Sequence, residues 1–296
     1  MKKRVIALFS ACAFILMPWA ASYAASTENS ANTSITVGSA DFPESQLLAT
    51  IYAKALSAKG ITVKTRMSIG SREVYMPALL DGSIDLLPEY SGAALSYLQK
   101  NPSAHSPDEV AAGLKAALPK GITMLTPSQA QDADAVVVTR ATADKYQLKT
   151  LADLAPVADK IVLGGSPEWK TRTEGLLGLE KVYGLKFKDY KALGIGPITL
   201  TALLNGRIQA AELTSTDPAI ASKDLVVLDD VKSLFMSQNI VPIIAESKVS
   251  DTVSQTLNAV SAALTTADLT RMNERLANYD SFDVVASDWL KAHKLM

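Results

Sequence analysis

Cysteine and histidine are nearly missing from this chain: it has one cysteine, Cys12, and two histidines, His105 and His293, in 296 residues. Cys12 falls in the apolar amino-terminal segment, so the rest of the chain has no disulfide, no thiolate nucleophile and no thiolate metal ligand. His105 sits in a proline-rich loop and His293 near the carboxyl end, neither placed to act as a general base. There is no Gly-x-Ser-x-Gly elbow, no phosphate-binding loop of the Walker type and no His-Glu-x-x-His pair. Gly194-Ile-Gly196 lacks the third glycine of a dinucleotide fingerprint. No catalytic residue, cofactor or metal ligand is therefore assigned, and an exported enzyme is the weakest of the functional readings.

Strong charge is also lacking. The formal net charge is −1, and removing residues 1–24, which hold Lys2, Lys3 and Arg4 and no acid, changes 29 − 30 into 26 − 30, or −4. With no basic block in the remainder, nucleic acid is not an expected partner. No apolar span follows the amino-terminal segment. That segment has a basic start, an apolar stretch from Val5 to Ala21 and the small-x-small site Ser22-Tyr23-Ala24. This is the pattern of a secretory signal, and it predicts a periplasmic protein whose mature chain begins near Ala25. Phe9-Ser-Ala-Cys12 is only loosely a lipoprotein box: the apolar run before it is too short and the one after it too long, so lipid anchoring is not expected.

What the chain does have is a repeat. Ala78-Leu-Leu-Asp-Gly-Ser-Ile-Asp aligns with Ala202-Leu-Leu-Asn-Gly-Arg-Ile-Gln at an offset of 202 − 78 = 124. In each copy an apolar helix stops at Asp-Gly or Asn-Gly, a sequence suited to closing a helix in the left-handed conformation. A short apolar run follows, Ile84–Leu87 or Ile208–Leu213, of the kind found in buried strands. Two copies predict two similar α/β lobes. Each strand then runs into a polar stretch, Pro88-Glu-Tyr-Ser-Gly or Thr214-Ser-Thr-Asp-Pro, at the carboxyl end where open α/β sheets hold ligands.

The expected division is a lead-in at 25–34, a first lobe of 35–138 plus 241–296, and a second lobe of 139–240, joined by two crossovers that act as a hinge. Helices are expected over Glu44–Lys59 and Glu109–Leu118, and two amphipathic helices in the tail. Strands are expected at Ile61–Met67, Asp134–Arg140, Leu225–Leu228 and Ile240–Ala245. Pro77 removes a backbone donor from a helix starting near Ser71, so that helix starts later or is kinked.

Candidate ligand-binding residues are the polar and aromatic side chains at predicted strand ends: Asp41, Glu73, Tyr90, Ser91, Asp134, Trp169, Arg172, Thr214 and Asp217. Tyr90 either presents a ring face to a cation or is a half-buried loop aromatic. Trp169 either stacks on a ligand or packs between helix and sheet. Arg172 either forks onto a carboxylate or pairs with Glu168 or Glu174. Asp217 reads first as a structural cap, and Glu73 reads equally as a solvated acid. Asp134 and Thr214 are placed by position alone.

The residues also carry a resemblance. Gly38-Ser-Ala-Asp-Phe-Pro-Glu-Ser, Ala78 to Gly92, Ser166-Pro-Glu-Trp-Lys-Thr-Arg-Thr-Glu-Gly, Ser215-Thr-Asp217, Lys149-Thr-Leu-Ala-Asp-Leu and Val285-Ala-Ser-Asp-Trp-Leu-Lys together span nearly all of the mature chain. The sequence resembles the substrate-binding proteins of glycine betaine, choline and related osmoprotectant ABC importers. The resemblance implies a type II periplasmic-binding-protein fold, a monomer that closes on one small quaternary amine or zwitterion and delivers it to a membrane permease. Tyr90 looks like a cage tyrosine of that family and Arg172 falls on its conserved-motif arginine. Thr214 stands where the family has a tyrosine, Asp134 replaces another aromatic, Pro218 a glycine and Ala93 a threonine. A depleted cage leaves open a different cationic amine, or an amino-acid-like ligand, drawn to Glu73, Asp134 and Glu212.

Overall fold

In the computed structural model residues 34–296 are described; the signal segment expected at 1–24 and all but the last residue of the lead-in lie outside the described residues. In chain order the first elements are β1 (Ile35–Gly38), α1 (Pro43–Ala58), β2 (Val63–Arg66), α2 (Arg72–Leu80), β3 (Leu86–Tyr90), α3 (Ser91–Leu98), α4 (Pro107–Ala117) and β4 (Ile122–Met124). The chain continues through β5 (Asp134–Thr139), α5 (Arg140–Tyr146), β6 (Val162–Gly165), α6 (Leu176–Tyr183), β7 (Asp189–Ala192), α7 (Pro197–Leu204), β8 (Ala210–Thr214), α8 (Ala219–Ser222) and β9 (Leu225–Val227). It ends with β10 (Ile240–Ala245), α9 (Asp251–Ala263), α10 (Thr266–Ala277) and α11 (Phe282–Ala292).

The strands form two five-stranded sheets in the orders β2-β1-β3-β10-β4 and β7-β6-β8-β5-β9. The two orders are one pattern written twice. Three parallel strands are followed by an antiparallel strand and an edge, and the antiparallel strand in each sheet is the one that has just crossed from the other. β5 pairs with β8 and β9, so it belongs to the second sheet. The first crossing therefore lies ahead of Asp134 and not near Thr139, the expected boundary; an apolar strand pattern does not say which sheet the strand joins.

The repeat has a physical basis. Gly82 and Gly206 both adopt left-handed backbone, with φ of 79° and 68°, at the turn that drops each helix into the central strand of its sheet. A second pair of glycines brings the neighbouring parallel strand, β1 or β6, against that unit. A Cβ on Gly38 would lie 2.6 Å from Ile84 Cδ1, and one on Gly164 2.5 Å from Ile208 Cδ1. The central strands are buried along their length, as helices on both faces require.

The end of β3 and the start of α3 differ from expectation. Pro88–Tyr90 continues β3 instead of forming a loop, and Ser91 opens the unforeseen α3. Pro77 sits inside α2, which starts at Arg72. The tail forms three helices whose apolar residues, among them Leu257, Leu269 and Trp289, share one core with Leu47, Ile51 and Tyr52 of α1. The returning segment thus packs on the first lobe. The second lobe has a separate core around Val136, Leu163, Trp169 and Leu179.

Candidate functional site

The chain crosses between the sheets just before β5 and just before β10, and the two crossings touch at a bridge between Gln131 and Asn239. Ser91 serves this junction: its hydroxyl donates to Ser237 O at 3.2 Å and accepts from Asn239 N at 3.0 Å. Gln238 Oε1 accepts from Ala93 N at 2.9 Å. Ser91 is buried and its bonding is taken up by the crossing strand, so its position at the strand end does not make it a ligand contact.

Beside the junction lies a cavity of about 370 Å³, lined by both lobes. That falls in the lower part of the range for small-ligand sites, about 300 to 1,000 Å³. The first lobe contributes three rings, Phe42, Tyr75 and Tyr90. The second contributes Asp134, Glu168, Arg172 and Thr214, with Asp132 from the crossing segment. A second cavity, of about 450 Å³, is lined by Lys181, Lys232 and His105 and has no phenyl, phenol or indole ring.

Each cavity tyrosine has its hydroxyl turned away to a buried carboxylate, which fixes its ring. Tyr90 packs on Phe42 with centroids 5.8 Å apart and donates to Glu44 Oε1 at 2.8 Å. Burial, then the Glu44 charge, push its phenol far above the ordinary value, so it stays a donor. Tyr75 donates to Glu89 Oε1 at 2.9 Å, and Arg72 forks onto both oxygens of Glu89 at 2.7 and 2.9 Å. Glu89 is fully buried, yet this fork and the Tyr90 backbone N–H satisfy it.

Glu44 also joins the lobes. Its Oε2 accepts from Thr216 Oγ1 at 2.9 Å, in the loop after β8, and from Asn273 Nδ2 of α10. Asp132 accepts from Thr216 N at 2.9 Å and Ser215 Oγ at 3.2 Å. A second link crosses the cleft: Arg172 Nη2 donates to Glu73 Oε2 at 3.1 Å and Oε1 at 3.2 Å. Burial raises the Glu73 carboxyl, but hydrogen bonds from Arg172, its own backbone and Ser71 outweigh that and leave it below the usual range.

Two buried acids of the second lobe, Asp134 and Glu212, are held by neutral donors. Asp134 accepts from Trp169 Nε1 at 3.1 Å, and burial followed by the Glu174 charge pushes its carboxyl up to about 6. Glu212 accepts from Ser166 N at 2.6 Å, and burial followed by the Asp134 charge pushes it up to about 8. Gly165 is what lets Glu212 in, since a Cβ there would be 2.4 Å from its Oε2.

Among residues 33–292 the chain matches the OpuAC family, described as the substrate binding domain of ABC-type glycine betaine transport systems. The chain belongs to this family. It is 27% identical to the glycine betaine-binding protein YehZ of Escherichia coli over 94% of this chain and 97% of that protein. It is 25% identical to the carnitine transport binding protein OpuCC of Listeria monocytogenes, over 98% and 97% respectively. A solved structure described as a glycine betaine/carnitine/choline ABC transporter superposes with a TM-score of 0.71 at 25% identity, over 88% of this chain and 99% of that one. The fold is accordingly that of a type II periplasmic binding protein, and the chain is a substrate-binding protein of the OpuAC family.

Within this OpuAC member the residues picked from sequence are scattered. Tyr90, Asp134, Arg172, Thr214 and Asp41 line the cavity. Glu73 reaches it only through Arg172. Trp169 is fully buried in the second core, stacked on Phe235 at 6.3 Å, and acts on the cavity by holding Asp134 rather than by offering its ring. Asp217 lies just before the Pro218 cap position of α8 and accepts from Ala219 N, the first residue of that helix, at 2.8 Å. Missed were Phe42, Arg72, Tyr75, Asp132 and Glu44. Arg72 and Tyr75 lie three apart on α2, a spacing that puts them on one face toward the end of β3.

Proposed function

We propose that this protein is exported to the periplasm, captures one small quaternary-ammonium compound of the glycine betaine, choline or carnitine kind between its lobes, and hands it to a membrane permease without altering it. The lobes are taken as 34–131 with 239–296, and 132–238, divided at the Gln131–Asn239 bridge. The observation that carries the ligand class is the pairing, in one cavity, of three aromatic rings from the first lobe with Asp132 and Asp134 from the other side. A quaternary ammonium has no N–H to give; what it needs is ring faces and negative charge. Each desolvated ring contact is worth up to about 2 kcal/mol, so two or three, with the carboxylates, support a micromolar complex, roughly 8 kcal/mol. The relatives named for glycine betaine and carnitine binding point the same way.

Calorimetric titration of the mature protein with choline, glycine betaine, carnitine, putrescine and proline tests this reading. At least one quaternary compound should bind with a micromolar Kd and be recovered unchanged. Binding by putrescine alone would replace the reading with a site for primary amines built on its acids. The titrations should also depend on pH. Asp134 is surrounded by Trp169, Glu174, Arg172, Asp132 and Glu212, and with its carboxyl at about 6 it is largely protonated at pH 5. A cation favours the ionised form, so affinity should rise about tenfold from pH 5 to pH 7. The free protein runs the opposite way: the folded chain keeps a proton that the unfolded chain loses near the ordinary carboxylate pKa. Its stability from this group falls as pH rises toward about 6.

A further inference from the structure

Both guanidinium groups that line the cavity are already engaged. Arg72 is forked onto Glu89, and Arg172 holds both oxygens of Glu73. The same cavity is lined by four carboxylates, Asp41, Asp132, Asp134 and Glu168, and none of them is in an ion pair among the described residues. The donors that Asp132 and Asp134 do have are neutral: the Thr216 backbone, the Ser215 hydroxyl and the Trp169 indole. The wall therefore has acids without cations beside them and its positive charge in use; burial, then the Glu44 charge, push the Asp132 carboxyl well above its ordinary value, so an entering cation is what draws it into the ionised form.

This matters differently to two kinds of quaternary amine. A cation such as choline brings one positive charge and a hydroxyl that bonds a carboxylate. A zwitterion such as glycine betaine brings the same ammonium together with a carboxylate of its own. That second charge has to lie against the acidic wall or take Arg172 from Glu73. Taking Arg172 exchanges one carboxylate for another and gains no net pairing, because a guanidinium fork serves one carboxylate at a time. We propose, on the reading that the cavity binds quaternary amines, that this site selects net cations over zwitterions and that Glu73 sets the selection by occupying Arg172. Glu73 lies on α2 of the first lobe and Arg172 follows β6 in the second, so the selecting contact spans the cleft. Glu73 is 45% exposed at its side chain, and losing its charge leaves no buried group unpaired.

Titration of the full mature chain with choline, tetramethylammonium and glycine betaine, in wild type, Glu73→Gln and the double variant Glu73→Gln with Arg172→Ala, tests it. In the wild type choline should bind at least tenfold more tightly than glycine betaine. Glu73→Gln should shift that ratio at least tenfold toward glycine betaine while tetramethylammonium affinity changes by less than threefold. The double variant should lose the shift, which shows that the freed arginine is its source. Glycine betaine binding the wild type as tightly as choline, or an unchanged ratio in Glu73→Gln, would overturn the proposal and leave the quaternary-amine reading standing. No binding of any of the three to the wild type would overturn both. Unchanged melting of Glu73→Gln confirms that the comparison is between folded proteins.

Discussion

Replacing Tyr90 by alanine is expected to weaken binding of the preferred quaternary amine about a hundredfold or more. The ring supplies a cation contact of about 1 to 2 kcal/mol. Its hydroxyl also satisfies Glu44, a carboxylate only 5% exposed that ties α1 to Thr216 of the second lobe and Asn273 of α10. Removing a donor from such a group costs about 1 to 3 kcal/mol. The sum is near 3 kcal/mol, and about 1.4 kcal/mol is tenfold in Kd. Tyr90→Phe separates the two contributions: it keeps the ring and loses only the hydroxyl, so it should retain affinity within roughly tenfold to thirtyfold. Calorimetry on both variants measures this. Wild-type affinity in Tyr90→Ala would remove Tyr90 from the site.

The other large effect is on stability. Glu89 has no exposed surface and Arg72 is 7% exposed, so Arg72→Met leaves a carboxylate in the core with only the Tyr75 hydroxyl and one backbone N–H. Breaking a buried pair from one side costs about 3 to 5 kcal/mol. At about 2 to 4 °C per kcal/mol for a chain of this size, the melting temperature should fall by roughly 6 to 20 °C. Glu89→Leu should do the same by stranding the guanidinium. Arg72→Met with Glu89→Leu should recover most of the loss, because a matched apolar pair replaces the ions without leaving a charge behind. Scanning calorimetry on the three variants decides it; single variants within about 2 °C of wild type would mean that water reaches the pair.

Most of the fold could be read from the chain because its signals are local. The Asp81-Gly82 and Asn205-Gly206 turns mark the same left-handed corner twice, and the apolar runs after them are the central strands of the two sheets. The rule that ligands sit beyond strand carboxyl ends picked out Tyr90 and Thr214, which line the cavity, while Asp134 lines it from the start of β5, whose antiparallel run brings its amino end there. It failed where burial decided the matter. Trp169 follows β6 as a ligand contact would, but an indole of that size contributes more as the centre of the second core. Ser91 follows β3, yet the crossing strand takes up its hydroxyl. Phe42, two residues before Glu44 and just past the end of β1, satisfied the same rule and was overlooked. The roles of Glu44 and Asp132 depend on Thr216, 172 residues away from Glu44 in the chain, and no local pattern carries that contact.

The central claim is that rings of one lobe and carboxylates of the other enclose an ammonium. A crystal structure of the mature protein with choline tests it most directly. The quaternary nitrogen should lie within about 6 Å of the Tyr75 and Tyr90 ring centroids, with Asp134 on the opposite side and Arg172 still on Glu73. Choline found in the cavity by Lys181 and Lys232, or with its nitrogen out of reach of both tyrosines, would contradict the account.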